Sequence, residues 1–131
     1  MKNHLRVMVC VTQQKSCHRL IETGHSMKHT EQDEVHVVHV FKEDWKYFGQ
    51  IKEADALEYL YETACEYGAD LAVLKAKDIE DTLHEYMEKN EINAVVMGES
   101  MESSDQQNMI HRLQSRSTRS ILWVIVPAEA D

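Results

Sequence analysis

Proline is nearly missing from this sequence, with one residue at Pro127, and glycine is scarce, with four among 131 residues. That scarcity excludes collagen-like, proline-rich and low-complexity architectures. Three cysteines, Cys10, Cys17 and Cys65, form no Cys-x-x-Cys pair, and an odd count argues against a disulfide framework. No apolar run approaches the roughly 20 residues needed to cross a bilayer. Positive charge is in deficit: 14 Lys and Arg face 23 Asp and Glu, for a net charge of −9 at pH 7. Such a field opposes general binding to nucleic acid or to an anionic membrane, but not a small anion held by backbone donors. The first residues enter a strand without a signal-peptide core. With the cysteine usage, this sets the expectation of a reducing, cytoplasmic setting.

What is present is ordinary for a soluble globular protein: 43% hydrophobic and 28% charged residues. One domain over 1–131 is long enough to bury a core without staples. Residues 78–100 carry the clearest pattern. Asp78 can cap a helix with a one-sided apolar face (Ile79, Leu83, Tyr86, Met87), and a short apolar strand over 93–97 follows and stops at Gly98. That is half of a βαβ crossover.

The same reading extends along the chain. Residues 5–11 and 35–41 are nearly all apolar or β-branched, as in strands buried on both faces. Ser16 can cap a helix with apolar positions at Cys17, Leu20, Ile21, Gly24 and Met27. A helix over 53–67 presents Leu57, Leu60, Tyr61 and Ala64 and stops at Gly68, a left-handed cap. Strands are expected over 71–74 and 121–126, with a last helix over 108–115 after a polar segment. Five strands alternating with four helices predict an α/β three-layer sandwich around a five-stranded parallel sheet, of order 3-2-1-4-5. Ligands of such sheets sit where the strand order reverses, beyond the carboxyl ends of strands one and four. There the crevice lies between Thr12-Gln13-Gln14 and Gly98-Glu99-Ser100.

With Arg19-Leu20-Ile21 after strand one, His36-Val37-Val38-His39-Val40, and the ending Asn93-Ala94-Val95-Val96-Met97-Gly98-Glu99-Ser100, the chain resembles the universal stress protein family. It is most similar to the stress-protein-like domain of Kdp-type potassium-sensor kinases, here without a kinase or membrane segment and so expected to be a free-standing relative. The resemblance implies a homodimer without an established reaction. One branch of the family binds ATP through glycine, two residues, glycine, nine residues, glycine, then Ser or Thr. Gly98 matches the first glycine. Met101 stands at the second, and the third falls on His111, or on Gln107-Asn108 when counted back from the last strand. The acidic residue that often ends strand one is replaced by Thr12-Gln13. Without those glycines fewer backbone N–H groups can close on phosphates, so tight ATP binding is not expected. The cyclic di-AMP motifs of some sensor domains are not kept either: Thr12-Gln13-Gln14 and Phe41-Lys42-Glu43-Asp44-Trp45 stand in their places.

The contacts the resemblance implies for any small ligand are Thr12, Gln13, Val40, Gly98, Ser100 and Asn108. No cofactor is certain; ATP or another adenine nucleotide is the candidate. At the sheet edge, Ile121, Leu122, Trp123, Val124, Ile125 and Val126 are expected to form the homodimer interface, since a bare apolar edge invites pairing. No nucleic-acid or membrane partner is expected. The function expected is that of a non-catalytic regulatory protein of the stress type with a degenerate nucleotide crevice. The alternatives are a true ATP- or AMP-binding stress protein and a protein-interaction signalling module.

Other candidates weigh less. His25 and His29, with Glu22 a turn earlier, suggest a metal face on one helix, though an exposed polar face is the commoner meaning. His36 and His39 fall on opposite faces of a strand and are read as packed or hydrogen-bonded. Cys17 fits the apolar stripe better than a reactive thiol. Arg112, Arg116 and Arg119 meet a phosphate or an acidic partner, or complement a helix dipole. Trp45, Tyr47 and Phe48 cover the crevice or pack on the sheet. No hydrolase elbow, Walker loop or Cys-His dyad is present, so no enzyme is expected.

Overall fold

The computed structural model describes residues 4–11, 14–42, 51–98, 104–117 and 120–126, the side chains at 14–17, 41–42, 51–56 and 104–109 excepted. The elements alternate as β1 (Arg6–Cys10), α1 (Gln14–Ser26), β2 (Glu34–Lys42), α2 (Ile51–Glu66), β3 (Asp70–Ala76), α3 (Ile79–Lys89), β4 (Ala94–Gly98), α4 (Ser104–Arg116) and β5 (Leu122–Val126). All strand pairs are parallel, in the order β3-β2-β1-β4-β5.

Strand parity divides the core. Val7, Val9, Val35, Val37, Ala94 and Val96 point to one face, where α1 and α2 cover them with Leu20, Ile21, Leu60 and Ala64. Met8, Cys10, Val38, Val40, Val95 and Met97 point to the other, under Leu83 and Met87 of α3 and Ile110 and Leu113 of α4. A strand apolar at every position must be covered on both sides, which is why the central strands carry no polar alternation.

Local chemistry sets the ends of the helices. Asp78, in extended backbone, accepts from the Asp81 N–H at 2.9 Å and caps α3. Gly68 takes φ +66, and Ala69 N donates to Ala64 O at 2.8 Å, closing α2 with a left-handed residue as expected. The end of α3 uses the same device with Glu91 at φ 52, while Ile92 N reaches back to Met87 O at 3.0 Å. At the amino end of the sheet, the Asn93 side chain accepts from Arg6 N and donates to His4 O, and its main chain bridges β1 to Leu122.

Four expectations are corrected. Tyr61, expected to face inward with Leu60 and Ala64, is 59% exposed, because the buried stripe of α2 runs through Leu60, Thr63 and Ala64 instead. The first helix begins at Gln14, ahead of the proposed cap at Ser16. The last begins at Ser104 rather than 108, because residues 104–107 are all polar and leave its first turn without an apolar signal in the sequence. Finally, α1 ends at Ser26, so His29 does not share a helix with His25. The His29 main-chain N–H instead donates to the Asp33 carboxylate at 2.7 Å.

Candidate functional site

The strand order reverses between β1 and β4, and the strand lengths carve a notch there. β1 pairs with β2 only as far as Cys10 opposite Val38, and with β4 as far as Cys10 opposite Met97. β2 continues for four more residues, His39 to Lys42, paired with Val73 to Ala76 of β3. At about 3.3 Å per residue, the β2–β3 side stands roughly 13 Å above the end of β1. β4 stops at Gly98, beside Val126 of β5. The amino ends of α1 and α4 both lie on the notch side of the sheet, on opposite faces, bringing the positive ends of two helix dipoles.

Three glycines are described, and the fold accounts for two. A Cβ on Gly24 would stand 2.5 Å from Val9 Cγ2, so this glycine lets α1 lie against β1. Gly68 supplies the positive φ noted above. Gly98 has neither reason among the described residues: its φ lies outside the left-handed region, and of those residues a Cβ would meet only the Leu20 methyls at 3.6 and 3.7 Å, an ordinary contact. Packing against the described residues therefore tolerates a side chain at Gly98.

His39 adds a feature the sequence concealed. Only 9% exposed, it lies 3.0 Å through Nδ1 from the Val11 carbonyl oxygen, at the end of β1. Periodicity placed it on the face opposite His36, as found, but no sequence signal pointed to its partner 28 residues away. His36 joins a separate chain of contacts at the far end of the sheet. Its Nε2 is 2.9 Å from Glu34 and its Nδ1 is 2.8 Å from the Tyr86 hydroxyl, while His4 meets the other Glu34 oxygen at 3.0 Å. Hydrogen bonds from His36 and then His4 hold the Glu34 carboxyl below its ordinary range. Burial pushes the Cys10 thiol up to about 12, which leaves it un-ionised and inert.

Of the expected ligand contacts, Gly98 lies at the notch and Val40 on the projecting part of β2, its side chain buried in the α3–α4 face. Asn108 lies on the second turn of α4, so the N–H groups without a partner inside that helix belong to residues before it. Thr12, Gln13 and Ser100 lie outside the described residues, as do Glu99, Met101, Arg119, Trp45, Tyr47 and Phe48; the Cys17 side chain does too. Arg112 and Arg116 are not aimed at the notch. Arg112 bonds Glu80 at 2.5 Å, and Arg116 bonds Glu80 at 3.0 Å and Asp81 at 2.8 Å, tying α4 to α3. Among the described residues, no group of His, Cys, Asp or Glu is arranged to hold a metal. His25 packs against the Tyr67 ring instead, with centroids 5.3 Å apart.

No protein-family model and no curated protein matches the sequence. Solved structures do match the fold. A universal stress protein from Arabidopsis thaliana with AMP bound superposes with a TM-score of 0.61 at 12% identity, over 97% of this chain and 94% of that one. A universal stress protein in complex with cAMP gives 0.59 at 14% identity, over 95% and 99%. The U34-tRNA thiolase NcsA of Methanococcus maripaludis gives 0.60 at 10% identity, over 95% of this chain but 52% of that one. One architecture thus serves both stress proteins and an enzyme, so function must be argued from the site. The chain has the five-stranded, parallel, three-layer fold of the universal stress proteins.

Proposed function

We propose that this chain is a non-catalytic regulatory protein of the universal stress type that holds an adenine mononucleotide in the notch between β1 and β4. The observation that carries this reading is Gly98 at the switch point, where neither the backbone nor packing against the described residues calls for the lack of a Cβ. An N–H or C=O without a neighbouring side chain can approach a ligand closely. Related folds hold AMP and cAMP, as described above, and neither ligand needs the grip that a triphosphate does. The further glycines that would wrap a triphosphate are replaced here. The finer likeness to the Kdp-type sensor domain rests on the segments 36–40 and 93–100 and is part of the same reading.

A second copy belongs to the proposal as well. β5 is an edge strand on which Leu122 and Ile125 are 56% and 38% exposed. Such an edge calls for a cover, and the same strand of a second subunit supplies one.

Titration calorimetry with AMP, cAMP and ATP tests the site. AMP or cAMP is expected to bind with Kd of about 10–100 µM, and ATP no more tightly. Gly98→Ala is expected to weaken binding at least about tenfold while leaving the melting temperature within roughly 2 °C. No heat with any of the three, or undiminished binding by Gly98→Ala, refutes the reading.

A further inference from the structure

We infer that His39 is a positioning residue for the nucleotide crevice, its ring N–H holding the end of β1 and hence the start of α1; the inference rests on the reading of the notch as a nucleotide site. A buried imidazole among valines is costly unless it is hydrogen-bonded. Val37, on the same face of β2, and Val9 and Val11 of the β1 end are all buried. A carbonyl oxygen only accepts, so Nδ1 carries the proton in the bond to Val11.

The position of that bond gives it its consequence. Regular pairing of β1 with β2 ends at Cys10, and Val11 is the next residue. Its N–H donates to Val38 O at 3.0 Å, and its C=O receives the His39 ring. Both main-chain groups of Val11 are thereby tied to β2, one through backbone and one through a side chain. α1 begins three residues later, at Gln14. A span that short passes any shift at Val11 to the amino end of α1. His39 also stands on the part of β2 that forms the wall of the notch, so one side chain links the wall to the floor.

Two substitutions separate this role from packing. His39→Asn keeps a donor at the Nδ1 position but loses ring volume, whereas His39→Leu keeps volume and loses the donor. The readouts are amide exchange of the segment 9–16 by mass spectrometry and AMP affinity by calorimetry. His39→Leu is expected to speed exchange there, and to weaken AMP, each at least about tenfold, while His39→Asn stays within about threefold of the parent on both. Damage by Asn as great as by Leu, or parental behaviour of Leu, overturns the inference. Should His39→Leu not fold, His39→Gln, whose amide falls at the Nε2 position, takes its place with the same expected contrast. If the parent binds no AMP, the nucleotide reading falls, and the exchange measurement alone still decides whether His39 holds the start of α1.

Discussion

Gly24→Ala probes the closest approach between helix and sheet. The added methyl would sit 2.5 Å from Val9 Cγ2, where carbon atoms prefer about 3.5–4.0 Å. Helix or strand must therefore yield by roughly 1 Å. Val9 is fully buried and paired on both sides, to Val37 and to Val96, so it has little room to move. The methyl's other neighbours, Val35 and Val7 at 3.6 and 3.7 Å, are in ordinary contact. Overpacking of this kind costs about 1–3 kcal/mol, against a gain of up to about 1 kcal/mol for alanine over glycine in a helix. The two terms separate in a cycle with Val9→Ala, which removes the obstructing methyl. Urea unfolding followed by far-UV circular dichroism should show Gly24→Ala destabilising in the parent and stabilising by up to about 1 kcal/mol beside Ala at position 9. The coupling expected is about 1–3 kcal/mol, and additivity to within roughly 0.5 kcal/mol refutes the claimed contact.

Asp33 accepts from the main-chain N–H groups of His29, Leu5 and Thr30, which hold its carboxyl at about 2, below the ordinary 3.8. A depressed folded-state pKa gives stability that is present above the unfolded value and lost as pH falls through the folded one, so the loss spans roughly pH 4 to 2. Asp33→Asn should flatten urea midpoints over that window; parallel pH profiles for the two proteins would contradict this. Glu91→Gly should raise the melting temperature by relieving a left-handed residue at the end of α3, a gain of up to about 1 kcal/mol. A lower melting temperature would show instead that the Glu91 contact with Arg6, at 4.0 Å, matters more than the backbone. Leu122→Lys should convert a dimer into a monomer in sedimentation at tens of micromolar protein, and a monomeric parent would remove the proposed interface.

Much of the fold was legible because it follows from short-range rules. Nearly unbroken apolar runs at 5–11 and 93–97 demanded cover on both faces, and the 3.6-residue spacing of Leu83 and Met87 named the inward side of α3. Asp78 and Gly68 announced helix ends through capping and left-handed backbone, effects confined to four or five neighbouring residues. The candidate site was legible only in outline. Alternating strands and helices placed it at the switch point, and Gly98 stood out as a strand terminator.

Sequence by itself thus determined the alternation of elements, the double-faced burial of the strands and the end of the sheet where the candidate site lies, since periodicity and sterics act along the chain. Tertiary structure alone decided which lone features have partners. It gave Arg112 and Arg116 to the acids of α3 and separated His25 from His29 at a helix end. It joined His39 to Val11, and it assigned Gly24 to close packing while leaving Gly98 without such a need among the described residues. Each of these is a through-space distance, and only the packed sheet and helices bring the atoms within a few ångströms.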